Sequence, residues 1–82
     1  MPVVPPVFVD IFCNVYGDKM KRLYERNENR WKDIKSSLEA SLKIKQDPIN
    51  MVCLSAMMRI EFEAKIRTDK ENPLIVALNE KV

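Results

Sequence analysis

The chain has 82 residues, 46% of them hydrophobic and 32% charged, which is the composition of one globular domain rather than a disordered segment. It has no histidine and only two thiols, Cys13 and Cys53, which excludes an ordinary zinc site and a nucleophile activated by histidine. Its single glycine, Gly17, leaves no Gly-rich phosphate loop and argues against strands joined by tight turns.

A core this small is marginal without a metal, a disulfide or a second subunit. Net charge is +2 but unevenly spread, because the basic excess sits in residues 18–45. The apolar stretches are shorter than the roughly 20 residues that cross a bilayer. The start, Met1-Pro2-Val3-Val4-Pro5-Pro6, lacks the basic region of a signal peptide. The expectation is a cytoplasmic protein with no cofactor, no metal and no membrane partner. In that compartment Cys13 and Cys53 are expected as free buried thiols, with a Cys13–Cys53 bridge as the alternative.

Pro2, Pro5 and Pro6 should hold the N-terminus extended. The run Val7–Tyr16 is almost wholly apolar; Phe8, Ile11, Phe12 and Val15 fit helical spacing, although a short strand is the alternative. Gly17-Asp18 divides this Pro-rich, hydrophobic segment, 1–17, from a helical domain, 18–82. From Asp18 onward Met20, Leu23, Tyr24, Trp31, Ile34, Leu38 and Leu42 recur at three- and four-residue steps, one stripe of a long helix lying within 8–45. Asn27 and Ser41 interrupt the stripe. Asp47 before Pro48 and Asn72 before Pro73 read as N-caps followed by first-turn prolines. They predict a second helix over about 48–70 and a short third one over about 73–80.

The second helix is apolar on two sides. Ile49, Val52, Cys53, Ala56 and Ile60 form one stripe, and Met51, Leu54, Met58 and Phe62 another. The long helix can cover only one of them, so a second copy of the chain is expected on the other. The fold expectation is all-α: a helical hairpin with a short third helix, built to dimerise.

No pair of carboxylates stands apart as catalytic. Glu25, Glu28, Asp33, Glu39, Glu61 and Glu63 alternate with Lys and Arg, as on solvated helix faces. The chain is therefore read as a binding protein, not an enzyme. The informative cluster is basic. Lys19, Arg22, Arg26 and Arg30 follow i, i+3, i+7, i+11, which on one helix makes a single row away from the apolar stripe. Such a row is either ordinary solvated surface or a seat for phosphates, which arginine forks match. Arg59 is the only charge between Pro48 and Ile60. It reads either as half of an i, i+4 pair with Glu63, worth a few tenths of a kcal/mol, or as a residue facing a polyanion; Arg67 extends the basic character. Trp31 and Tyr24 belong to the apolar stripe. Without exposed aromatics to stack on bases, a duplex suits the chain better than a single strand. Double-stranded RNA is read by shape, through its phosphates and 2′-hydroxyls.

The helical hairpin broken at Gln46-Asp47-Pro48-Ile49-Asn50, the lone Arg59 and the closing Asn72-Pro73-Leu74-Ile75-Val76-Ala77-Leu78 resemble the small RNA-silencing suppressors of insect nodaviruses, over about residues 18–82. The resemblance implies a homodimeric four-helix bundle lying along one face of double-stranded RNA in the host cytoplasm. There it would keep RNA from Dicer and from small interfering RNA loading, with host Dicer as a further partner. It also makes Arg59 the match for a family arginine that meets the RNA backbone. The site residues expected are thus Arg59, Lys19, Arg22, Arg26, Arg30 and Arg67. Two other readings remain: an interaction or scaffold module docking through Phe8–Tyr16, and a basic helix lying on anionic membrane.

Overall fold

A computed structural model describes residues 4–71 and 73–80, without the side chains of 68–71, 75 and 79. Four helices follow one another: α1 (Pro6–Arg26), α2 (Glu28–Ile44), α3 (Pro48–Glu71) and α4 (Pro73–Glu80). No strand occurs among the described residues, so the all-α expectation holds and the strand alternative for Val7–Tyr16 does not. Helices α1, α2 and α3 pack pairwise against one another, and α4 lies against α3.

The expected boundaries of the second and third helices are met within a residue. Asp47 caps α3 as its sequence predicts. Its Oδ1 accepts hydrogen bonds from the backbone N–H of Ile49 at 2.9 Å and of Asn50 at 3.4 Å, satisfying donors that the first turn leaves orphaned. The equivalent cap at Asn72 falls outside the described residues.

The first half differs from expectation in three ways. Pro6 is not held in an extended arm but opens α1, where its missing N–H costs nothing. Gly17 does not divide the chain, because α1 runs straight through it. The long helix instead breaks at Asn27. That residue takes φ −144° and ψ 75°, its N–H still bonds back to the carbonyl of Leu23, and its Oδ1 accepts from the N–H of Arg30 at 3.1 Å. A short amide side chain that can satisfy the next helix's orphan donors competes well with helix continuation. The expected hairpin is therefore a three-helix packing whose first arm is split in two.

Gly17 is buried in a helical backbone, and a Cβ added there would meet Cys13 Cβ at 4.0 Å, an ordinary contact. Neither space nor backbone requires glycine. Gly17→Ala is expected to raise stability by about 0.5–1 kcal/mol, read as a higher urea midpoint with unchanged slope. A lower midpoint would contradict the packing described.

Trp31, Met57 and Ile60 form the centre of the core, with Met20, Leu23, Tyr24, Ile34, Leu38 and Cys53 around them. Trp31 is 2% exposed, and Tyr24 meets it edge-on with ring centroids 5.1 Å apart. The indole Nε1 donates to Glu61 Oε1 at 2.8 Å, and Lys35 Nζ donates to Glu61 Oε2 at 2.9 Å. One carboxylate thus ties α2 to α3 and satisfies the only polar atom of the largest core side chain. Burial pushes the Glu61 carboxyl up, but the bonds from Trp31 and Lys35 outweigh it and the net shift is downward. The stability this gives is present above the ordinary glutamate range and is lost as pH falls through the lowered value. Cys13 and Cys53 are both free and half-buried, and burial pushes the Cys53 thiol up.

Candidate nucleic-acid interface

The break at Asn27 redistributes the expected basic row. Lys19, Arg22 and Arg26 lie on α1, while Arg30 belongs to the first turn of α2. The four-residue row on one helix is therefore corrected to three, since the i+11 relation does not survive a change of axis. Lys19 to Arg26 spans about 10 Å along α1. All three side chains are exposed, and none makes an ion pair with another described residue. They sit on the side of α1 away from Val9, Gly17 and Tyr24, which face the core. Arg30 is exposed too and lines a shallow cleft with Asp33 and Ser37. Arg67 is exposed on the distal half of α3, on a different element from the α1 row.

Arg59 is paired across helices rather than with Glu63, its i, i+4 neighbour. Its Nη1 bonds to Asp10 Oδ1 at 2.5 Å, joining α3 to the first half of α1, and Glu63 is not the partner. The hydrogen bond to Asp10 is the chief reason the guanidinium is held still more firmly protonated than usual. The two side chains are 34% and 59% exposed, so the pair itself is worth about 0.2–1 kcal/mol. A cavity of about 620 Å³ opens beside it, lined from α1 by Asp10, Asn14, Asp18 and Lys21 and from α3 by Arg59 and Glu63. Three carboxylates and two cations face this space, so a phosphate entering it would meet net negative charge.

The signal for this pairing was present in the sequence. Asp10 is the only charge among residues 1–17, as Arg59 is between 48 and 60. Two solitary charges in apolar runs are natural partners once the helices carrying them are side by side.

The two-sided character of α3 has a definite outcome in the chain. Ala56 and Ile60, of the first stripe, are buried, Ile60 in the central cluster with Trp31. On the opposite side only Leu54 is buried, while Met58 is 55% and Phe62 64% exposed. Ile49 lies open at the start of the helix and Ile66 toward its end. The face expected to need a second subunit is thus left open at Met58 and Phe62. No helix among the described residues is long and apolar enough to cross a membrane.

No family model, curated protein or solved structure matches this chain.

Proposed function

We propose that the chain binds double-stranded RNA without sequence preference and suppresses host RNA silencing, keeping RNA from Dicer and from small interfering RNA loading. The observation that carries this reading is the row Lys19, Arg22 and Arg26: three exposed cations, unpaired among the described residues, on one side of one rigid helix. A row of fixed positive charges suits a duplex backbone, where phosphates supply most of the affinity. Arg30, next along the chain, and Arg67 add to the field. Arg59 has a different duty in this reading. Bound to Asp10, it holds α1 on α3 and so keeps the row in place.

The protein acts as a homodimer in this proposal, paired through the open side of α3. The residues there are Met51, Ser55, Met58, Phe62 and Ile66, at steps of four, three, four and four. The first three steps alternate as the seam of paired helices does. It is also nearly palindromic. An antiparallel copy related by a two-fold axis beside Met58 sets Phe62 of each chain over Ser55 of the other, and Met51 over Ile66. Large meets small where Phe62 lies over Ser55, two long apolar side chains meet where Met51 lies over Ile66, and the two-fold axis makes each contact twice.

An electrophoretic shift series with an RNA duplex of arbitrary sequence tests the RNA reading. The wild type should bind at low salt and weaken steeply as salt rises. The double variant Arg22→Glu/Arg26→Glu should lose roughly 100-fold or more, and each single Arg→Ala should lower the salt slope by about 1. If Arg59 acts by holding α1, Asp10→Asn and Arg59→Ala should weaken binding to the same small extent. No shift at low salt, or full binding by the double variant, would refute the proposal.

A further inference from the structure

The side of α1 turned away from the core carries more than cations. Phe8, Phe12, Val15, Lys19, Arg22 and Arg26 follow one another at steps of four, three, four, three and four, all within α1. This is an unbroken heptad seam about 27 Å long, and it changes chemistry halfway. Its first half is apolar and open: Phe8 is 53% and Val15 64% exposed, and Ile11 and Tyr16 flank them, also exposed. Its second half is the row of three cations. Beside the apolar half, the first turns of α3 contribute Pro48, Ile49 and Val52, so that the two helices enclose an apolar groove of about 410 Å³.

We propose that this seam receives an amphipathic helix of a partner protein, apolar along one half of its own seam and carboxylate-bearing along the other. The sequence of chemistry along α1 selects that occupant. A second copy of α1 does not fit. Laid parallel it sets Lys19, Arg22 and Arg26 on their own counterparts, and laid antiparallel it buries them against Phe8, Phe12 and Val15; both cost free energy. RNA satisfies the cationic half alone and leaves the groove wet. A bilayer is flat, whereas the groove is concave, walled by two helices and only one seam wide, and a helix ridge fills such a shape. A helix with leucines opposite Phe8, Phe12 and Val15 and glutamates opposite the three cations matches every position. Since the cationic half also forms the proposed RNA contact, helix and RNA exclude one another.

The probe is a labelled synthetic peptide of about three heptads, with Leu at the seam positions of one half and Glu at those of the other. It is made in both chain directions and followed by fluorescence anisotropy against the full chain. One direction should bind with a dissociation constant of about 10 μM or tighter, weakening as salt rises. Val15→Glu and Ile11→Glu, both at exposed positions, should each weaken binding at least about tenfold. So should Arg22→Glu, and the peptide with Lys in place of Glu should not bind. Circular dichroism melting checks that each variant is folded. Val15→Glu should still shift RNA, while Arg22→Glu should weaken both ligands, so the failure of one reading is distinct from failure of the other. The proposal is overturned by any of three results: no binding by either peptide at about 100 μM, equal binding of the Lys peptide, or a folded Val15→Glu that binds as wild type. It is overturned equally if Val15→Glu abolishes sedimentation with phosphatidylserine vesicles, or self-association, while peptide binding is absent.

Discussion

Replacing Trp31 with alanine should leave the protein largely unfolded at room temperature. The side chain is 2% exposed at the centre of the core, with Tyr24 edge-on and Met57 and Ile60 around it. Truncating a buried aromatic costs about 3–5 kcal/mol. A domain of this size holds about 3–5 kcal/mol of stability in total. Trp31→Ala also takes away one of the two donors that satisfy Glu61, leaving the carboxylate on Lys35 alone. Trp31→Phe separates the two contributions. It retains much of the ring contact but loses the hydrogen bond, and should cost about 1–3 kcal/mol. Urea unfolding followed by circular dichroism measures both. A Trp31→Ala protein with a wild-type midpoint would mean that the core lies elsewhere.

Phe62→Glu should convert the proposed dimer into a monomer without disturbing the fold. Phe62 is 64% exposed in the single chain, so a charge there costs the isolated subunit little. In the proposed antiparallel pairing the ring appears twice, each time over the small Ser55. Burying one such side chain is worth about 1.5–3 kcal/mol, and two together exceed the 1.4 kcal/mol that corresponds to tenfold in affinity by a factor of at least about two. Dissociation should therefore strengthen by more than roughly 100-fold, before the cost of burying the carboxylates is added. Met58→Cys is the positive counterpart. Beside the two-fold axis its sulfur should form an intermolecular disulfide under mild oxidation, in a background where Cys13 and Cys53 are replaced by serine. Analytical ultracentrifugation and a non-reducing gel read the two outcomes. A wild-type chain that sediments as a monomer at micromolar concentration removes the dimer from the proposal.

What the sequence revealed depended on whether the deciding interaction was local. The start of α3 was legible because Asp47, Pro48 and the amides of Ile49 and Asn50 are chain neighbours, and the cap is complete within four residues. Asn27 had the same chemistry, but it lies within a continuing apolar stripe and lacks a following proline. Gly17 drew the boundary instead. In the fold Gly17 is an ordinary helical residue, and the amide side chain of Asn27 ends one helix and starts the next. The apolar faces of α3 were readable from spacing alone, and the chain buries Ala56 and Ile60 of one and exposes Met58 and Phe62 of the other. Arg59 was not readable in that way. Helical spacing offered Glu63, four residues on, whereas the actual partner lies 49 positions earlier. Only the packing of α1 on α3 could bring Asp10 to it. The basic cluster shows the same limit, since Lys19, Arg22 and Arg26 were placed by spacing within one helix and Arg30 was lost to a turn that spacing does not register.

Met57 and Met58 are consecutive in the chain, yet one is 2% and the other 55% exposed. A peroxide diffusing to the protein therefore reaches the second thioether and not the first. Oxidation turns a soft apolar sulfur into a polar sulfoxide. At Met57 that change would strike the centre of the core, but at Met58 it falls on the open side of α3, at the middle of the proposed seam. The fold thus shields the sulfur on which its own integrity rests and leaves its neighbour open to an oxidation that is chemically reversible.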